Sequence, residues 1–335
     1  MKRWVVRGLI IFSAAGQPML ALAQDDNADQ AREALSRQEG DEDATKQLEE
    51  VFESAEKNYS LQAEGTHALT YSFDYSYTGD QRLDLEISDG SVRNLDIVPS
   101  ATHSFTNAFS YDYGLFDNLT IGARLPLVVK YDTQDELEIY DVGDVSFTAR
   151  WQPSAYVPGQ MSTTLFTSIT TKTGVSPYEI DIRRQLSTGS GYYTVSGGAS
   201  LSKVLDPVVL FGSASASYNV KEDGLDQVRG ARLLTEVEPG FGLSGSLGFA
   251  YSLSYDISLS VSTQISYSDE TTLSFSDGTE AVAQDQMTGF LSFSLGTRVS
   301  DTTILNTSVG IGLTEDAPDF NIGLSLPINF SGLKE

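Results

Sequence analysis

Phe241-Gly-Leu-Ser-Gly-Ser-Leu-Gly-Phe-Ala-Tyr-Ser-Leu-Ser254, followed after Tyr255-Asp256 by Ile257-Ser-Leu-Ser-Val-Ser-Thr-Gln-Ile-Ser-Tyr267, decides the fold. In the first half Phe241, Leu243, Leu247, Phe249, Tyr251 and Leu253 share one parity, while Gly242, Ser244, Ser246, Gly248, Ala250 and Ser252 share the other. In the second half Ile257, Leu259, Val261, Ile265 and Tyr267 alternate with Ser258, Ser260, Ser262, Gln264 and Ser266. Period-two alternation specifies strands with one apolar and one polar side, joined here by the tight turn at Ser254-Tyr255-Asp256. A soluble sandwich would carry Lys and Glu as well as Thr on its wet face. This polar face is almost wholly Ser and Gly, on strands of about ten residues or more, the length that crosses a bilayer at a tilt. The stretch reads as a transmembrane β-hairpin whose small polar face looks into a lumen.

The rest of the chain agrees. Its 335 residues suit one large barrel or two ordinary domains. Beyond the N-terminus there is no apolar run of about 18 residues, which excludes a helical membrane protein. Lys2, Arg3 and Arg7 precede an apolar segment over Leu9 to Ala15, and Ala21-Leu22-Ala23 fits a cleavage site, so residues 1–23 are expected to be an export signal peptide. With no cysteine, the chain has neither a disulfide framework nor thiol chemistry. A formal charge of -25 excludes nucleic acid as a partner on electrostatic grounds.

Residues 24–61 speak a helical language. Gly40 and Asp41-Glu42-Asp43 restart a helix in which Ala44, Leu48, Val51, Phe52, Ala55 and Tyr59 recur at three- and four-residue spacing, with acidic residues at the end where the helix dipole favours them. Left free, such a helix would be a solvated tail or a short coiled coil. The stripe of Leu48, Phe52 and Tyr59 points instead to docking, because a free helix would leave it in water.

From residue 62 to 335 a barrel is expected. Twelve alternating segments begin near Thr66 and end at Phe330, and their connections alternate between tight and long. The long ones are read as polar loops: Gly79 to Val98, the acidic stretch through Asp135, Glu136 and Glu138, Gly174 to Gly189, Lys221 to Glu238, and Ser268 to Asp285. An even strand number with short turns on one side matches bacterial outer-membrane barrels and predicts both chain ends in the periplasm. The fold class is therefore an all-β antiparallel up-and-down outer-membrane barrel with an N-terminal periplasmic helix.

Barrels of about eight strands are filled by side chains, and those of about sixteen keep an aqueous channel. Here the inward positions are small, as in Ser213, Ser215 and Ser217 or Ser292, Ser294 and Gly296, and cannot fill the interior. The charged inward positions are Asp74, Arg124, Asp144, Arg150, Lys172 and Arg298, with Arg150 and Arg298 toward the periplasmic end. Each alone is more simply a charge satisfied across the lumen. Together the arginines offer a cationic lower lumen to Glu49, Glu50, Glu53 or Glu56, so the helix is expected to cap or enter the periplasmic mouth. Tyr111, Tyr113, Tyr131, Trp151, Tyr251 and Phe330 fall near strand ends and suit interfacial girdles against outer-membrane lipid and lipopolysaccharide. The acidic outer loops are read as solvated, with no metal site and no cofactor. His67 and His103 fall at opposite ends of adjacent strands, and no nucleophile elbow or zinc motif is present, so no catalytic residue is assigned.

Asp141-Val-Gly-Asp-Val-Ser-Phe147, Thr171-Lys-Thr-Gly174 with Gly189-Ser-Gly191, and Gly312-Leu-Thr-Glu-Asp-Ala-Pro-Asp-Phe320 resemble the outer-membrane transporter family labelled "MetA-pathway of phenol degradation". That grouping is similar to the functional-amyloid (Fap) secretion pore. The resemblance implies a twelve-stranded barrel inserted by the barrel-assembly machinery, a homotrimer, and an N-terminal helix that plugs the lumen. It implies transport, including export of an amyloid-type polypeptide. Two alternatives stay open: an uptake channel for small aromatic or apolar compounds, which an inward stripe of aromatics would favour, and a structural or adhesive barrel acting through its outer loops.

Overall fold

The computed structural model describes residues 61–88, 91–155, 157, 159–205, 207–254, 256–300 and 303–328; the expected signal peptide, the expected helix at 41–60 and Phe330 lie outside them. Among the described residues the elements are all strands: β1 (His67–Ser88), β2 (Ser91–Phe116), β3 (Leu119–Asp132), β4 (Leu137–Val142), β5 (Ser146–Trp151), β6 (Met161–Thr170), β7 (Thr194–Leu205), β8 (Val208–Asn219), β9 (Glu222–Arg229), β10 (Arg232–Glu238), β11 (Gly242–Ser254), β12 (Ile257–Ser268), β13 (Thr271–Phe275), β14 (Glu280–Ala283), β15 (Gln286–Ser300), β16 (Thr303–Gly312) and β17 (Phe320–Ile328).

Antiparallel ladders run from β1 through β17, β16, β15, β12, β11, β8, β7, β6, β5 and β3 to β2, which pairs back to β1 and closes a twelve-stranded barrel. Closure leaves no free edge in the wall. The segments β4 and β5 share one place: β5 pairs with the first half of β3 and β4 with the second. The opening hairpin is found as expected, with Gly242 opposite Ser268 and Phe249 opposite Val261. Leu243, Leu247, Phe249 and Tyr251 are exposed on the outer surface, where a bilayer covers them, and their alternates line the lumen. Inverting this hairpin by one residue would put every Ser into lipid.

One end of the barrel carries tight turns, such as Leu205 to Val208, and the other carries the long connections. Four of the expected polar loops are strands instead. The stretch Gly79 to Val98 is a continuation of β1 and β2, paired up to Ser88 opposite Ser91 with one register shift between Glu86 and Ile87. The acidic stretch after Asp135 contains β4. Lys221 to Glu238 holds the hairpin β9–β10, and Ser268 to Asp285 holds β13–β14. These last two hairpins join in a second sheet of order β14-β13-β10-β9. Their turns have the expected chemistry: Gly230 and Gly278 take left-handed backbone angles of 64° and 76°, and Asp277 accepts hydrogen bonds from the amide and hydroxyl of Thr279. The polar character that suggested loops reflects solvent on one face only. The other face buries Leu225, Leu234 and Val237 against Leu273, Phe275 and Tyr178.

Tyr178 comes from the irregular segment between β6 and β7, the one long connection that remains a loop as expected. Burial pushes its phenol up to about 12, with Tyr192 nearby adding to the shift. A folded pKa above the unfolded value of about 10 means that this packing is at full strength below pH 10 and weakens as pH rises through 12. Alkaline titration of phenolate absorbance should show a last-titrating component, and Tyr178→Phe should remove it. If the variant leaves the late component in place, Tyr178 is not buried beneath this sheet.

Candidate functional site

The lumen wall on the β6 to β15 side is built from hydroxyls that pair with each other. Ser213 and Ser246 lie opposite in the β8–β11 ladder with hydroxyls 2.7 Å apart, Ser215 and Ser244 at 2.6 Å, and Ser168 and Ser196 across β6–β7 at 2.6 Å. Side chains this short, hydrogen-bonded along the wall, project little into the interior. Phe166 and Phe211 share the parity of Ser168 and Ser213, the pattern that assigns them to the lumen, and the reading of the Ser runs passed over them. Their rings lie against the wall over glycines of the next strand, because a Cβ at Gly198 would come within 2.7 Å of the Phe166 ring and one at Gly248 within 2.5 Å of the Phe211 ring. Phe211 joins Val209, Ala250 and Val204 in an apolar patch at the tight-turn end.

The opposite side carries the charges. On β3, Arg124 faces Asp74 of β1 with 3.9 Å between nitrogen and oxygen, both side chains about half exposed. On β5, Arg150 is paired with Asp112 of β2, an acid that the sequence reading did not single out, and this pair is closed off, with side chains 8% and 19% exposed. Asp112 reaches Arg150 by lying across β3 at Gly122, where any Cβ would meet its carboxylate at 2.2 Å. Arg298 on β15 shares the inward parity of Ser294 and Gly296. Both ion pairs border a cavity of about 450 Å³ that also touches Ser72, Ser308 and Asn306.

Two of the expected lumen charges sit elsewhere. Lys172 lies in the loop after β6, bonded to Glu222 of β9 and placed over the Tyr193 ring at 5.7 Å. Its partner carboxylate holds the ammonium pKa above its ordinary value. Asp144, between β4 and β5, is a loop anchor: it accepts hydrogen bonds from the Gly174 amide and from both amide and hydroxyl of Ser190. Thr173 donates to the Gly143 carbonyl and Thr188 to that of Val142. Three motif fragments that are distant in sequence thus meet in one knot, with Gly174 and Gly189 packed so closely that neither could bear a Cβ. The fourth fragment is a second clasp, in which Asp319 accepts from the Gly79 amide, Asp316 from that of Met287 and Thr314 from that of Gly289.

At the tight-turn end residues 62–66 lie against the inner side of the wall. The Gln62 amide donates to the hydroxyl of Thr120, which is fully buried and on the lumen parity of Gly122 and Arg124. Gly65 donates to Gly114 and Gly114 to Thr66, while the Glu64 amide donates to Asp117. A Cβ at Gly114, on the parity of Asp112, would strike the Ala63 carbonyl at 2.1 Å, so residues 62–66 form a strap on the lumen side. Nothing in the alternation pattern foretells it beyond a glycine at the end of an alternating run.

Tyr111, Tyr131, Trp151 and Tyr251 are exposed on the outer surface, with Tyr113 partly so. His67 stacks on Tyr111, and His103 is 2.9 Å from the Tyr75 hydroxyl among Tyr77 and Tyr131, so the histidines are apart and both outside the lumen.

No family model matches the chain. Among solved structures, an outer-membrane channel from Pseudomonas putida F1 is similar at 18% identity and a TM-score of 0.61, over 80% of this chain and 97% of that one. The translocator domain of the autotransporter NalP from Neisseria meningitidis is similar at 12% identity and 0.48, over 91% and 98%. The toluene transporter TodX from P. putida is similar at 9% and 0.40, over 82% and 91%. The first of these likenesses establishes the fold as that of an outer-membrane β-barrel, in keeping with the barrel that the motifs implied.

Proposed function

We propose that this chain is a passive outer-membrane pore whose tight-turn end faces the periplasm and is closed by the chain's own N-terminal helix. The observation that supports this is the strap: residues 62–66 lie on the lumen side of the wall, with Gln62 at Thr120. The lumen there suits an amphipathic helix. Its apolar patch around Phe211 matches the stripe of Leu48, Phe52 and Tyr59, and the arginine side matches Glu49, Glu50, Glu53 and Glu56. Arg298, which shares the inward parity of Ser294 and Gly296, is the partner assigned to those acids. Opening then follows displacement of the helix and requires no nucleotide. An exported amyloid-type polypeptide, which the motif resemblance implies, would use the same lumen with the helix withdrawn.

Gly114→Ala tests this. The added methyl meets backbone oxygens of Gln62 and Ala63 at 2.6 and 2.1 Å, and these cannot move aside without releasing the strap. Single-channel recordings should show a clear rise in open probability for Gly114→Ala and a smaller one for Thr120→Val, which loses one hydrogen bond. Unchanged closure in Gly114→Ala would mean that the strap does not position the gate.

A second reading, uptake of small aromatic or apolar compounds, is favoured by one observation: two aromatics take lumen parity, Phe166 partly exposed in the lining and Phe211 buried behind it. Alanine at both positions should then slow uptake of an aromatic solute into vesicles more than that of a sugar.

A further inference from the structure

The two ion pairs of the lumen differ in kind. Arg150 and Asp112 are closed against each other and nearly out of water. Arg124 is 44% exposed, and its closest approach to Asp74, at 3.9 Å, is an ion pair without a hydrogen bond. A guanidinium has five donors in a planar fork, and among the described residues none of those of Arg124 is engaged in a hydrogen bond. Its ladder neighbours are Ser110 on β2 and Ser146 on β5, too short to shield it. It opens onto the cavity of about 450 Å³, within the range of about 300–1,000 Å³ typical of small-ligand sites. A second group there also lacks a partner: the Ser325 hydroxyl oxygen is buried and makes no hydrogen bond.

We propose that Arg124 is a receptor for the carboxylate of a solute within the lumen, an inference that rests on the lumen being the passage. A carboxylate matches the guanidinium fork in a bidentate pair, which neutral solutes cannot form. Asp74 keeps the binding weak. It stands beside the fork and repels an incoming anion, so a solute held at Arg124 is also released, as a passage requires. Arg150 cannot take this role, because Asp112 already occupies it.

The test uses the full mature chain, with benzoate as the probe and benzyl alcohol as its neutral counterpart, read by titration calorimetry and by single-channel current. Benzoate should bind and alter the current, and benzyl alcohol should do neither. Arg124→Gln should weaken benzoate by roughly 10-fold or more, Arg124→Lys by less, and Asp74→Asn should strengthen it. Unchanged heat-modifiable migration of the Lys and Gln variants establishes that both are folded. Equal binding of benzoate and benzyl alcohol, or wild-type benzoate affinity in Arg124→Gln, would overturn the proposal. Calorimetry reports on the site even if no current flows, so a failed passage and a failed receptor give different results.

Discussion

Asp112→Ala should destabilise the barrel by about 3–5 kcal/mol, the cost of removing one partner from a buried ion pair. The size of the effect comes from Arg150, whose side chain is only 8% exposed and cannot recover the lost carboxylate from bulk water. Urea unfolding of the mature protein in lipid vesicles, followed by heat-modifiable migration, measures it. The double replacement Asp112→Leu with Arg150→Leu should regain most of the loss, because it removes both charges together. Gly122→Ala should reproduce part of the effect without touching either charge, since its methyl displaces the carboxylate that crosses β3. A change of less than about 1 kcal/mol in Asp112→Ala would mean that the pair is solvated and that the lumen is wet down to its floor.

The second large effect belongs to Asp144. Three donors converge on this carboxylate, and hydrogen bonds to a charged group contribute about 1.5–3 kcal/mol each, though not additively. Asp144→Ala should lower the local opening free energy of the loop between β6 and β7 by about 3–5 kcal/mol while leaving the barrel ladders intact. The loop tip carries Arg183 and Arg184, exposed beside Asp181, whose carboxylate accepts the Arg183 amide. Trypsin cleavage there should accelerate roughly 100-fold or more, because cleavage follows the population of the open loop. Asp144→Asn, which keeps one carbonyl acceptor, should fall between. Cleavage at the wild-type rate in Asp144→Ala would show that Thr173 and Thr188 hold the loop without it.

The barrel was legible because lipid on one side and a lumen on the other impose a two-residue period that Phe241 to Tyr267 displays without interruption. Strand number and the placement of tight turns followed from the same period. The hairpins β9–β10 and β13–β14 were missed because beyond the barrel ladders one face meets water and the other a small local core, so Leu234 and Val237 stand among charged residues instead of in an apolar run. Gly230 and the pair Asp277-Gly278 were the available clues. Within the site, Arg124 and Arg150 share the lumen parity. It could not show that Asp112 crosses a strand to pair with Arg150, because such a contact depends on a missing Cβ at Gly122. Asp144 and Lys172 have a lumen-like parity but lie where the ladders end, and there loop hydrogen bonds direct the side chains.

The central claim is that a lumen able to conduct is closed from the strap end by the chain's own N-terminal segment. Single-channel conductance of the mature protein, compared in planar bilayers with a chain lacking residues 25–60, tests it most directly. The shortened chain should be a steadily open pore and the mature protein mostly closed. If neither conducts, the lumen is filled by its own wall despite Ser and Gly at most inward positions, and the barrel acts through its outer sheet and loops instead of as a passage.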